Sequence, residues 1–103
     1  IDPDLRIPRA EQAETLLRVI QEGLTNAARH GRARNAWLEL VRQDGQIVLR
    51  LEDDGRLKWP LVPGNGLTFM QERLTELGGD LELSPSGRGG LALTAHLPLE
   101  INP

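Results

Sequence analysis

Residues 21–30 read Gln-Glu-Gly-Leu-Thr-Asn-Ala-Ala-Arg-His, and they end the longest helical pattern of the chain, from about Glu11 to His30. At 100° per residue, Ala13, Leu16, Leu17, Ile20, Leu24, Ala27 and Ala28 gather on one side of that helix. Glu22 and Asn26 fall on the opposite side, with Thr15, Arg18 and Arg29. Four residues apart, Glu22 and Asn26 are neighbours on one face, an acid beside an amide within reach of one ligand. Taken alone, that face reads first as solvated surface. Gly23 weighs against it, because a glycine inside a helix costs about 1 kcal/mol relative to alanine and usually marks a close approach.

Working outward, Gly31 is placed to close the helix in a left-handed conformation, and Arg32 to Asn35 is a short link. Upstream, Ile1 to Pro8 reads as an extended lead-in. Downstream, Ala36–Val41 and Ile47–Leu51 are aliphatic-rich runs on either side of Asp44-Gly45, a hairpin signal. Leu38, Leu40, Ile47, Leu49 and Leu51 mark the faces that meet a helical layer, with Glu39 and Arg50 on the alternate parity. Trp37 reads as a packing residue. Glu52 to Gly66, rich in Asp, Gly and Pro, reads as an irregular loop. Leu67, Met70, Leu74 and Leu77 predict a second, short helix stopped by Gly78-Gly79. Asp80–Ser84 and Leu91–Leu97 then form two more strands, closed by Pro98. The element order predicts a two-layer α/β sandwich, with helices on one face of a mixed, mostly antiparallel sheet.

With 103 residues the chain is one domain, residues 1–103, large enough for a two-layer core. A net charge of −3 with interspersed signs gives no basic stripe and argues against nucleic acid as a partner. There are no cysteines and two histidines, so disulfides and thiolate metal sites are excluded and any metal must be held by oxygens. No apolar run approaches the ~18 residues of a membrane span, and the opening Ile-Asp-Pro-Asp lacks the regions of a signal peptide. The chain starts without methionine and is read as a fragment of a larger one. P-loop, G-x-S-x-G and H-E-x-x-H motifs are missing.

Three clusters remain. Asp53-Asp54-Gly55 stands where a strand gives way to a loop, a place for ligand-binding carboxylates or simply for a turn. Gly64-Asn65-Gly66 precedes the second helix, whose free amides favour an anion. Arg56 and Lys58 in the preceding loop read as solvated charges able to approach phosphates. Gly87-Arg88-Gly89-Gly90 leads into the last strand and reads first as a turn. His96 has no partner in sequence and reads as structural.

Each cluster is weak alone, but their order is specific. The chain resembles the ATP-binding catalytic domain of bacterial sensor histidine kinases, of the Bergerat (GHKL) ATPase fold, over nearly its whole length. Gln21 to His30 looks like the asparagine box, Glu52 to Gly55 like the first glycine box, and Gly64 to Gly79 like the second. The wording of the first stretch is similar to the nitrate-sensor and DesK-like subgroup. The resemblance implies that Asn26 coordinates Mg²⁺ bridging the ATP phosphates, and that Glu22 is the catalytic residue, polarising the attacking group. It implies that Asp53 takes the adenine amine with Gly55 giving room, and that Arg29 and His30 face phosphate. Gly64, Gly66 and Leu67 match the lid-and-helix junction, and Gly87 and Gly89 lie near the base.

The implied activity is that of a protein histidine kinase: phosphoryl transfer from ATP to a histidine on a separate dimerisation domain, within a two-component system ending in a response regulator. The isolated domain is expected to be monomeric with little turnover, the full kinase homodimeric, and this portion cytoplasmic with no membrane contact of its own. Two residues depart from the family pattern. Leu57 occupies the second glycine position of the first box, and Gly90 stands where a threonine is common. Leu57, Trp59, Pro60 and Pro63 make an apolar, stiff lid. These departures leave an alternative open, a nucleotide-binding or regulatory interaction module without kinase activity.

Overall fold

The computed structural model describes residues 5–29, 32–56 and 65–99. They form α1 (Ala10–Arg29), β1 (Ala36–Gln43), β2 (Gln46–Asp53), α2 (Asn65–Glu76), β3 (Asp80–Pro85) and β4 (Leu91–Pro98). The strands lie in the order β1-β2-β4-β3, and every pairing among them is antiparallel. Both helices pack on one face, α1 over β2 and β4 and α2 over β3 and β4, which makes the two-layer α/β sandwich that the element order predicts.

The β1–β2 turn follows from Asp44-Gly45. Both residues take positive φ, 52° and 76°, the combination that matches the right-handed twist of a two-residue hairpin. Pairing runs from Gln43↔Gln46 to Ala36↔Asp53, so the strands are longer than their aliphatic runs. Glu52 and Asp53 therefore end β2, where the sequence reading placed a loop. α2 likewise begins at Asn65, two residues before its first apolar position. Its end is as expected. Gly78 adopts φ 83°, and the Gly79 and Gly78 amides donate to Leu74 O (2.8 Å) and Thr75 O (3.0 Å), a paired closure of the last helical carbonyls. Gly31 lies outside the described residues. After α1, Arg32 takes φ 52° and the Ala33 amide donates to Ala27 O at 2.9 Å.

Leu40, Ile47, Leu49 and Leu51 of the first hairpin meet Leu93, Ala95 and Leu97 of β4 and the inward residues of both helices in one core. Each buried leucine or isoleucine contributes about 1.5–3 kcal/mol.

The buried stripe of α1 is not the one its apolar residues suggest. Gln12, Thr15, Leu16, Val19, Gly23 and Ala27 face the sheet, while Leu17 and Leu24 are 54 % and 44 % exposed. The cause is close approach. A Cβ on Gly23 would overlap Leu51 Cδ2, so the helix presses onto β2 at its smallest residue. Two polar side chains are then buried: Gln12 Nε2 donates to Pro98 O (2.8 Å) while its Oε1 has no partner among the described residues, and Thr15 Oγ1 donates to Glu11 O (2.8 Å). Glu22 and Asn26 consequently lie half-buried beside the stripe, not opposite it.

These contacts also orient the layers. Gln12 meets the end of β4 and Gly23 meets Leu51 and Leu93, so α1 runs parallel to β2. A Cβ on Gly79 would overlap His96 O, so α2 ends where α1 begins and the helices are antiparallel.

Candidate functional site

Four chain segments therefore converge at one end of the sandwich: the last turns of α1, the end of β2, the start of β4 and the first turn of α2. Asp53 is the last residue of β2 and shares the inward parity of Leu49 and Leu51. It is 6 % exposed, and its Oδ1 accepts the Gly55 amide at 2.8 Å. Among the described residues that amide is the one donor to this carboxylate.

Asp54 has a different fate. It accepts the amides of Arg34 (2.9 Å) and Asn35 (2.8 Å) and the Asn35 side-chain amide (2.9 Å). Those bonds, the Asn35 side chain first, hold its carboxyl below the usual aspartate range. Asp54 thus fastens the α1–β1 link to the end of β2. Sequence reading missed Asn35, because its partner becomes visible only once Ala36 is paired with Asp53.

The β3–β4 turn reaches the same place. The Gly90 amide donates to Asp53 O (3.2 Å) and the Ser86 amide to Gly90 O (2.8 Å). Gly89 has φ 112°, and a Cβ there would lie 3.3 Å from Gly55 O. Gly55 and Gly89 are thus brought to Asp53. Gly87 is not: it is an exposed turn residue where an added Cβ would meet open space. Arg88 turns to the outer face of the sheet, its guanidinium 3.8 Å from the Trp37 ring centre and its Nε 3.2 Å from Glu52 Oε2. Trp37 therefore packs against a cation, as its reading as a packing residue anticipates. Hydrogen bonding from Arg50 holds the Glu52 carboxyl below its usual range, against a contrary push from burial and with further help from Arg88.

Glu22 and Asn26 extend a row at four-residue spacing, Glu14, Arg18, Glu22, Asn26, along α1. The first two line a groove of about 360 Å³ against Phe69, Met70 and Arg73 of α2. Since the helices are antiparallel, Glu22 and Asn26 continue the row toward the amide-bearing start of α2. Gly66 is in that first turn, and the Leu67 side chain is buried in the core, which leaves only its backbone for a ligand. Arg29 is exposed at the last position of α1. His30, Gly64, Leu57, Lys58, Trp59, Pro60 and Pro63 lie outside the described residues. His96 is on the outer face, its Nδ1 3.1 Å from Asp80 Oδ1, toward the opposite end.

The described residues contain no group of three or more His, Asp or Glu able to hold a metal by themselves. An amide oxygen from Asn26 suits Mg²⁺, which takes few protein ligands and completes its shell with phosphate oxygens and water. No helix among them is long and apolar enough to cross a membrane.

No family model matches the chain. The chain is 37 % identical over 87 residues to the Bacillus subtilis sensor histidine kinase YxjM, a match covering 84 % of this chain and 21 % of that protein. It is 44 % identical over 78 residues to the histidine-protein kinase/phosphatase UhpB of Salmonella typhimurium, covering 71 % of this chain and 15 % of that one. The chain thus spans about a fifth or less of the length of these relatives. The solved ATP-binding domain of PrrB from Mycobacterium tuberculosis has the same fold, with a TM-score of 0.69 at 24 % identity over 82 % of this chain and 67 % of that one. The histidine kinase domain of the Erythrobacter litoralis EL346 blue-light activated kinase gives 0.66 at 26 % identity, over 86 % and 45 %. By this likeness in sequence and in fold, the chain belongs to the ATP-binding catalytic domains of sensor histidine kinases.

Proposed function

We propose that this domain binds ATP with Mg²⁺ and delivers the γ-phosphoryl group to a histidine on a separate dimerisation domain of the same, cytoplasmically facing kinase, from which it passes to a response regulator. The supporting observation is the convergence at one end of a buried carboxylate, Asp53, that has a single donor among the described residues, with the half-buried Glu22–Asn26 pair and the start of α2.

Asp53 accepts the exocyclic amine of adenine, and Gly55 and Gly89 keep side chains away from the ring. The α2 N-terminus offers amides and the positive end of its dipole to phosphate oxygens. Bound Mg²⁺ neutralises charge on the phosphates, and Asn26 would supply its protein ligand. Glu22 orients the incoming imidazole or accepts its proton. The domain's contribution is positioning and charge stabilisation, and the acceptor histidine comes from outside this chain.

Titration calorimetry with ATP and Mg²⁺ tests the reading. Saturable binding is expected, and absence of heat at millimolar ATP would sink it. Glu22→Gln should bind ATP normally and abolish labelling of the acceptor histidine when placed in the parent kinase. Normal labelling would remove the role assigned to Glu22, whereas a parent kinase that binds ATP but leaves the acceptor histidine unlabelled would make a regulatory nucleotide-binding module the better description.

A further inference from the structure

The last turns of α1 reach past the point where the helix is pressed onto the sheet. Gly23 sits against Leu51, and residues 24–29 extend beyond it by roughly 9 Å. Ala27 is the one buried side chain among them, so little apolar packing fixes this stretch, which carries Asn26 and Arg29. Its tether is polar and runs to Asp54. Arg32 turns the chain at φ 52°, and the Ala33 amide donates to Ala27 O at 2.9 Å. The next two amides, of Arg34 and Asn35, both donate to Asp54 Oδ1, at 2.9 and 2.8 Å. The Asn35 side-chain amide donates to Oδ2 at 2.9 Å, and the Asp54 amide returns a bond to Asn35 O at 3.2 Å. The hairpin does not depend on this clasp, because β1 and β2 are paired along their whole length from Ala36↔Asp53 to Gln43↔Gln46. What the clasp holds is the end of α1.

We propose that Asp54, through Asn35, is a positioning residue for phosphoryl transfer: the clasp sets the last turn of α1, and Asn26 with it, at a fixed place relative to the end of β2. This rests on the reading of Asn26 as the protein ligand for Mg²⁺. That ion accepts oxygens only in near-octahedral positions, so an amide on a helix end that is free to shift holds it poorly even with the side chain intact. Asp53 keeps its own place by pairing with Ala36 and by its bond from Gly55, neither of which involves the Asp54 carboxylate. Loss of the clasp therefore falls on the metal-dependent part of nucleotide binding and leaves the metal-independent part alone.

ATP binding by calorimetry, without metal and across a Mg²⁺ titration, tests this in the wild type, Asp54→Ala and Asp54→Asn. Labelling of the acceptor histidine in the parent kinase is the second readout. Asp54→Ala should bind metal-free ATP within about twofold of the wild type, need about tenfold more Mg²⁺ for half the metal effect, and label about tenfold more slowly at fixed Mg²⁺. Asp54→Asn should behave as the wild type: its amide oxygen still accepts both main-chain amides, and the Asn35 side chain, turned end for end, accepts from its nitrogen. Unchanged Mg²⁺ dependence in Asp54→Ala, equal loss with and without metal, or Asp54→Asn as impaired as Asp54→Ala overturns the positioning role and leaves Asn26 in place. Asn26→Ala is the control on the metal ligand: if it keeps the wild-type Mg²⁺ dependence, that reading fails and this proposal with it. Should Asp54→Ala not fold, Asn35→Ala decides, since it removes one exposed bond of the three to the carboxylate. A Mg²⁺ requirement raised about threefold supports the proposal, and an unchanged one overturns it.

Discussion

The two ends of the sandwich are built to opposite specifications. At the end where α1 begins, main-chain carbonyls are taken up: the Gln12 side-chain amide donates to Pro98 O, the Leu99 amide donates to Gly45 O, and Gly78-Gly79 closes α2 against the backbone of β4. At the other end Asp54 accepts three hydrogen bonds, but its neighbour Asp53 has one donor among the described residues, and the half-buried Glu22 and Asn26 stand nearby on α1. The contrast lies in the main-chain groups and the carboxylates, since Gln12 Oε1 and His96 Nδ1, toward the first end, are buried without a hydrogen-bond partner among the described residues.

Substitutions at the two ends should therefore separate stability from binding. Gly79→Ala forces a Cβ into the His96 carbonyl, an obstruction that no side-chain rotation relieves, and should cost about 3 kcal/mol of stability by chemical denaturation. A loss under about 0.5 kcal/mol would show that the closed end yields more easily than its contacts imply. Asp53→Asn at the open end should weaken ATP binding by about 2 kcal/mol, roughly thirtyfold, with a far smaller change in stability. The reverse pattern would make Asp53 a structural residue and erase the contrast.

Acid should find the fold-fastening carboxylates first. The folded-state carboxyl of Asp54 sits below its ordinary 3.8, so its stabilisation is complete above that value and is lost as pH falls through the lower folded one. Glu52 behaves likewise below its ordinary 4.5. Melting temperature measured from pH 6 down to 2 should fall on the acid side, and Asp54→Asn should flatten part of that limb without changing ATP affinity at neutral pH. A limb identical to the wild type's would remove Asp54 from the fastening. Smallest of all, Arg88→Ala gives up an exposed cation over Trp37 and should cost about 0.5–1 kcal/mol, with ATP affinity unchanged. A fall in affinity would show that the outer face of the sheet communicates with the open end.

Much of this architecture is legible in the chain. Asp44-Gly45 fixes the hairpin because both residues tolerate positive φ, and Gly78 fixes the end of α2 for the same local reason, whereas Gly79 is required by its approach to the His96 carbonyl. Leucines at period two along β2 and at helical spacing along α2 put the right faces inward. The face of α1 is where local reading fails. Counting apolar residues favours the Leu17–Leu24 line, but the sheet accepts the Gly23 line, since contact distance rather than hydrophobicity selects which side of a helix can seat closely on a strand.

The site shows the same division. Glu22 and Asn26 could be paired from residue type and spacing, since an acid and an amide one turn apart are a local fact, while Asp53 is singled out only by the family resemblance. The different fates of Asp53 and Asp54 and the turning of Arg88 away from the site could not be read locally, because each depends on a residue distant in sequence: Asn35 or Trp37. By itself the sequence determined the elements, their turns and the inventory of polar groups, all of which follow from backbone preference and periodicity within a few residues. Only the tertiary structure decided which of those groups are consumed by the fold and which keep free capacity, because hydrogen-bond saturation and steric room are set by partners that the chain brings together only on folding.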